Sequence, residues 1–356
     1  MNRTDKIRIK MKELSLDAIV VLDELNQHYL SKFAFTDGLL LITLQNAYLI
    51  TDFRYYEMAI NTASSEYKII MPKNRREEIT KIFNDESCKR IGFEGGSVSF
   101  ATLNKYKEDY PFCEFVNIGD IIEEQRQIKD ESEIALMQKA QDITDLAFSE
   151  TLKMLTPNMT EIEVAAELEY RMRRAGASGF AFDTIAVSGD ASALPHGVPR
   201  NVKLRPGFLT MDFGAKYQGY CSDMTRTVVI GKADDEIKKL YETVRAAQAA
   251  GLAAVKAGAD CALCDKAARD IIDAVPEYNG AFGHSLGHAV GLFIHEKPGL
   301  SKIWSGRALR AGEIVTVEPG IYLFGKYGCR IEDMVAVRDG GLYNFTHSTK
   351  ELIEIM

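Results

Sequence analysis

Long apolar runs are missing from this 356-residue chain, as are blocks of like charge and low-complexity tracts. Without an uninterrupted apolar stretch of about 20 residues it offers no membrane-spanning helix. Without a basic block, and with 43 Lys+Arg against 51 Asp+Glu (net charge -8), it is a poor partner for nucleic acid. The first residues, MNRTDKIRIKMKELSLDAIVVLD, break their apolar positions with charges every few residues. They lack the apolar core of a signal peptide, so we expect a cytoplasmic protein. Cysteine is equally uninformative as a scaffold: only Cys261 and Cys264, among six, form a CxxC. A single CxxC closes no zinc ribbon, and the helical apolar spacing of ADCALCDKAARDII argues for two reduced thiols on a helix. Histidine is sparse too, yet three of the six (His284, His288 and His295) fall within GHSLGHAVGLFIHE, residues 283–296.

The two parts of the chain differ in rhythm. The first ~120 residues alternate short apolar stretches at 17–22, 38–44, 47–52, 67–72, 90–95 and 114–119 with helical ones, the pattern of an α/β layer domain. No glycine-rich phosphate loop follows any of these strands, and no ligand-type residues cluster there. From residue 121 the spacing predicts one long amphipathic helix stopped by Pro157 and Asn158, then a helix capped by Thr160 and running to about Arg174. Extended sequence follows. The order then recurs, with helices over 235–257 and 261–274 and strands to the C-terminus. Two helices followed by strands, twice over, predict a duplicated architecture with a site at the seam between the two strand sets.

A helical HExxH zinc site is excluded, because Ser285 stands where Glu is needed and Gly287 weakens a helix. Acids on strands are better candidates. Asp212 and Asp223 lie on the two arms of TMDFGAKYQGYCSDMTRT, folded together by a turn over 214–219. Glu318 ends the apolar run IVTV, and Glu332 in CRIEDMVAV shares a face with Arg330 by period two. Taken singly, such acids usually cap turns or meet solvent. Four of them embedded in apolar strand sequence are costly to bury without cations. One imidazole with several carboxylates suits Mn²⁺ first, and also Co²⁺, Fe²⁺ or Zn²⁺. Four carboxylates balance two divalent ions, as in dinuclear hydrolases.

SALPHGVP (192–199), MDFGAKYQGYCSDMTRT (211–227), GHSLGHAVGLFIHE, VEPGIY (317–322) and RIED (330–333) together resemble, in order, the motifs of the pita-bread metallopeptidases. The chain is most similar to their Xaa-Pro aminopeptidase and prolidase branch. The resemblance implies a mixed α/β (α+β) fold: a creatinase-type N-terminal domain over 1–123 and a pita-bread catalytic domain with pseudo-two-fold halves over 124–356. It implies metal ligation by Asp212, Asp223, His288, Glu318 and Glu332, with Asp223 and Glu332 bridging. It further implies that Glu318 moves protons, that His295 donates to the scissile carbonyl or the tetrahedral intermediate, and that His196 lies near the leaving side. His284 would line the proline pocket, Arg330 would hold Glu332 beside bound substrate, and Tyr322 would reach the site. Proline removes the N–H and fixes φ, which is why Xaa-Pro bonds need a dedicated enzyme. The expected partners are proline-containing peptides and a second copy of the chain in a homodimer.

Two rivals remain at this stage. A strict Xaa-Pro dipeptidase (prolidase) shares all these motifs. A silent peptide-binding module of the same fold would lack some of the five ligands, and this chain retains them all.

Overall fold

The computed structural model describes residues 2–356, which divide into two compact units at Arg126–Gln127. The first unit is built on a six-stranded mixed sheet in the order 68–70, 47–50, 39–43, 18–21, 90–93, 114–117. All six expected strands are present, three trimmed at both ends and three at the C-terminal end alone. The central strands Ala18–Val21 and Leu39–Thr43 are buried at every position. Helices cover such strands on both faces, so they read as continuous apolar runs instead of alternating ones. Helices at Phe53–Thr62, Arg75–Asp85 and Phe100–Asp109 match the helical stretches that the sequence places at about 54–63, 75–84 and 99–109.

The helix expected from residue 121 onward is interrupted. It forms as Ile121–Gln127 and Glu131–Leu152, with 128–130 outside either helix. Asp130 takes the N-cap of the second: its carboxylate accepts from Glu133 N while Glu133 Oε2 accepts from Asp130 N. This reciprocal pair satisfies amides that a continuous helix would have bonded internally, and it redirects the chain. Helix Glu161–Arg174 starts on Thr160 with a capping box of its own.

In the second unit the duplication is visible in the elements. Helices Glu131–Leu152 and Glu161–Arg174 precede a four-stranded sheet in the order 354–355, 224–230, 207–213, 185–188. Helices Asp235–Ala254 and Cys261–Asp273 precede a five-stranded sheet in the order 296–300, 287–289, 314–317, 333–338, 341–344. The first of this pair ends at Ala254, three residues short of expectation, because Val255 is extended. The N-cap residues of the two second helices make equivalent isolated bridges, Thr160 to Lys203 and Asp260 to Ala308. Each half buries its own apolar cluster, one around Phe148, Leu168 and Met211 and the other around Leu240, Val244 and Val317. Cys261 and Cys264 are free and buried on one helix, and burial pushes their thiols up to about 11 and about 12. They are packing residues, in line with the sequence.

Candidate active site

Strands Gly207–Phe213 and Met224–Ile230 pair antiparallel with Asp212 opposite Thr225. Between them the chain makes a small excursion through 215–217 and 220–221, wider than a simple turn, and Asp223 sits where it rejoins the sheet. In the other half His288 lies on Gly287–Ala289, and Glu318 directly follows the buried strand Ile314–Val317. Glu332 does not lie within a strand: Ile331 and Glu332 join Tyr327–Arg330 to Asp333–Arg338. Glu332 N donates to Thr225 O at 3.1 Å, which ties this link to the other half. Glycine permits two close approaches. A Cβ at Gly214 would lie 2.0 Å from Ser222 O, and one at Gly287 would lie 2.0 Å from Thr316 O.

These loops and strand ends line one cleft of about 550 Å³ that holds Asp212, Asp223, His288, Glu318 and Glu332. His284, His196, His295 and Arg330 line it as well. Ligand atoms of Asp223, His288 and Glu332 lie within 4.8 Å of one another. His288 Nε2 is 3.5 Å from Asp223 and 3.4 Å from Glu318. Its Nδ1 lies 3.2 Å from Ala289 O, so the proton belongs on Nδ1 and Nε2 presents its lone pair to the acids. Burial, and then His295, push the His288 imidazole down to about 4, so the ring is neutral near pH 7.

Two threonines orient the acids, and neither stood out in the sequence. Thr225 Oγ1 donates to Glu332 at 2.7 Å and Thr316 Oγ1 donates to Glu318 at 3.0 Å. Thr316 also accepts from His288 N at 3.1 Å. Each stands two residues from an acid, Thr225 after Asp223 and Thr316 before Glu318, so period two would have pointed to both.

Arg330 was expected against Glu332, but its Nη2 donates to Asp212 at 2.6 Å. Its Nε donates to Thr225 Oγ1 at 2.9 Å, so it reaches Glu332 only through that hydroxyl. Nη1 donates to Tyr322 OH at 2.7 Å and to Pro195 O at 3.3 Å. Tyr322 OH and His284 Nε2 are 2.9 Å apart, and His284 Nδ1 is 2.8 Å from Ser285 O. Since a carbonyl only accepts, His284 carries its proton on Nδ1 and takes the Tyr322 hydroxyl proton's hydrogen bond at Nε2. The His284 ring also packs edge-on against Phe282, centroids 5.0 Å apart.

The acids are crowded and largely buried. Burial, then Asp212 and Glu318, push Asp223 well above the usual carboxylate range. Glu332 rises for the same reasons, with burial first and then Asp223, Glu318 and Asp212. Glu318 is pushed up to about 8, chiefly by burial and further by Asp212, against the pull of Arg330. Asp212 keeps one buried oxygen, Oδ1, with no hydrogen-bond partner. Carboxylates this desolvated ionise together only when positive charge joins them. With an unprotonated imidazole nitrogen beside them and an orphaned carboxylate oxygen aimed inward, the donor set fits divalent cations.

Duplicated α/β halves meeting at a cleft where carboxylates gather around the His288 imidazole define a hydrolytic divalent-metal centre. Residues 135–339 match the model of "Metallopeptidase family M24", and residues 3–128 match that of the "Creatinase/Prolidase N-terminal domain". The chain belongs to metallopeptidase family M24. It is 39% identical over 353 residues to the peptidase YqhT of Bacillus subtilis, covering 99% of each chain. Among solved structures it is similar to the Xaa-Pro dipeptidase from Bacillus anthracis (TM-score 0.94, 39% identity, 99% of each chain). It is also similar to the X-Pro aminopeptidase from Thermotoga maritima (TM-score 0.91, 35% identity, 100% of each chain).

Proposed function

We propose that this chain is a metal-dependent aminopeptidase that removes an N-terminal residue preceding proline. The reading is carried by the gathering of Asp212, Asp223, His288, Glu318 and Glu332 in one cleft flanked by His196, His284 and His295. Retention of all five ligands argues against a silent peptide-binding module. Relatives of both peptide-length preferences are similar over the whole chain, so the cleft itself must choose between them. A dipeptide places its carboxylate one residue beyond the scissile bond. Arg330 is the one Lys or Arg among the described residues lining the cleft, and each of its three nitrogens already donates elsewhere. Its Nη2 keeps a second N–H beyond the bond to Asp212, so the lining admits a dipeptide carboxylate as well as a longer peptide, and product analysis separates the two.

Two divalent cations, Mn²⁺ first by donor type, would be held by Asp212, Asp223, His288, Glu318 and Glu332, and would supply a water nucleophile active near neutral pH. Glu318 takes the proton of that water and delivers it to the proline nitrogen, a poor leaving group until protonated. His295 donates to the scissile carbonyl oxygen as negative charge builds there. The Arg330–Tyr322–His284 chain fixes Asp212 on one side and the wall of the proline pocket on the other, while His196 borders the leaving side. The family resemblance supports a cytoplasmic homodimer. Among the described residues no helix is long and apolar enough to cross a membrane.

The test is product analysis by mass spectrometry on metal-stripped protein reloaded with Mn²⁺, offered Xaa-Pro, Xaa-Pro-Yaa and longer peptides, with Xaa-Ala matches and His288→Ala as control. Release of the first residue from the tripeptide and longer substrates is expected. Cleavage of the dipeptide alone would transfer the chain to the prolidases, and no cleavage with metal bound would refute the peptidase reading.

A further inference from the structure

The segment 290–295 that carries His295 has no helix or strand of its own, yet His295 must meet a developing charge at a fixed place. Its anchors come from outside. Cys221 N donates to Gly291 O at 2.8 Å and Cys221 Sγ to Leu292 O at 3.8 Å. Glu296 then folds back over the loop. Its Oε1 accepts from Phe293 N at 3.3 Å, and a Cβ at Gly291 would lie 2.5 Å from its Oε2. Lys129 Nζ reaches the same Oε2 at 3.0 Å, in a pair whose side chains are only 1% and 8% exposed.

Lys129 is itself fixed. Its N donates to Gly312 O at 2.9 Å, and the next residue, Asp130, caps helix Glu131–Leu152. Four positions on, Glu133 Oε1 accepts from Tyr220 OH at 2.8 Å, beside the Cys221 that holds the loop. The start of one helix therefore grips both strands of chain that enclose the loop. A buried ion pair is a weak source of stability, since apolar residues of similar volume do as well. Holding a neighbour in place is a better account of this one.

We infer that Lys129 and Glu296 are a positioning pair for His295, setting where its imidazole meets the scissile carbonyl. The inference rests on the peptidase reading of His295. A displacement of about 1 Å at a reacting group costs up to about 100-fold in rate, so the pair acts on turnover more than on binding.

The test compares wild type, Lys129→Arg, the double variant Lys129→Met/Glu296→Gln, His295→Ala and the triple variant, all loaded with Mn²⁺. The double variant removes both charges at once and leaves neither unpaired. It is expected to lower kcat about 10–100-fold with KM changed less than about threefold, and to lower it no further on the His295→Ala background. Lys129→Arg, which keeps the charge, is expected to retain most of the turnover. A second readout needs no substrate: the ¹³Cε1 resonance of His295, assigned by its loss in His295→Ala, shifts or broadens in the double variant while those of His28 and His347 stay. Should the double variant not fold, Glu296→Asp, shorter by one carbon with its charge kept, takes its place in both measurements. An equal loss of kcat with and without His295, an unchanged kcat, or an unmoved His295 resonance would each overturn the inference. Wild-type protein that cleaves no Xaa-Pro peptide would instead defeat the substrate reading, and the resonance would still decide whether the pair places His295.

Discussion

Thr316 joins three things with one hydroxyl: it donates to Glu318, accepts from His288 N, and stands in the strand that precedes Glu318. Replacing it with valine keeps the shape and removes both bonds. Side chains that orient metal ligands in this way are typically worth about 10–100-fold in metal affinity. Thr316→Val should therefore weaken Mn²⁺ binding by about that factor in calorimetric titration, with little change in fold. His284 makes a different prediction. Burial, then Arg330, push its imidazole down to about 4, so the folded protein keeps it neutral while the unfolded chain protonates it near 6.5. Between those values the unfolded state binds more protons, so stability falls as pH drops from about 6.5 towards 4, by at most about 3 kcal/mol. His284→Gln should lose less melting temperature than wild type between pH 7 and pH 4.5.

At the scale of elements, caps decide where helices begin. Thr160 accepts from Glu163 N at 3.2 Å, and Glu163 Oε2 accepts from Thr160 N at 2.6 Å. Thr160→Ala should cost about 1 kcal/mol, lowering Tm by about 2–4 °C in a scan. That cap was legible because a Thr-x-x-Glu sequence follows Pro157 and Asn158. The cap at Asp130 has the same form, Asp-x-x-Glu, but lies inside a stretch whose apolar period continues across it. Periodicity outweighed the cap in the sequence, and the cap prevailed in the fold because Lys129 is drawn away to Gly312 and Glu296.

Across the catalytic unit, one arginine links the two sheets. Arg226 leaves strand Met224–Ile230, is 1% exposed, and donates to Asp333 Oδ1 at 2.8 Å on strand Asp333–Arg338. It also donates to the carbonyls of Ser348 at 2.8 Å and Thr349 at 3.0 Å. Arg226→Met would leave Asp333 with Lys350 and Asn344 alone and would strip these carbonyls of a buried donor, at a cost of about 3 kcal/mol. Denaturant unfolding should show that loss, and metal affinity should fall with it, since Glu332 adjoins the broken pair.

By itself the sequence determined the strands of the first unit and the doubled helix-then-strand order, both written in local spacing: runs, periods and caps. The five candidate acid and imidazole ligands came from motifs that resemble those of a known family. The tertiary structure alone decided which partner each side chain took. Arg330 and Glu332 are two residues apart, yet the guanidinium goes to Asp212, brought from more than a hundred residues away by the pairing of the halves. Lys129 met Glu296 in the same manner, across 167 positions. Burial of so many charges requires each to find its counterpart in space, and only the packed fold sets which counterparts are within reach.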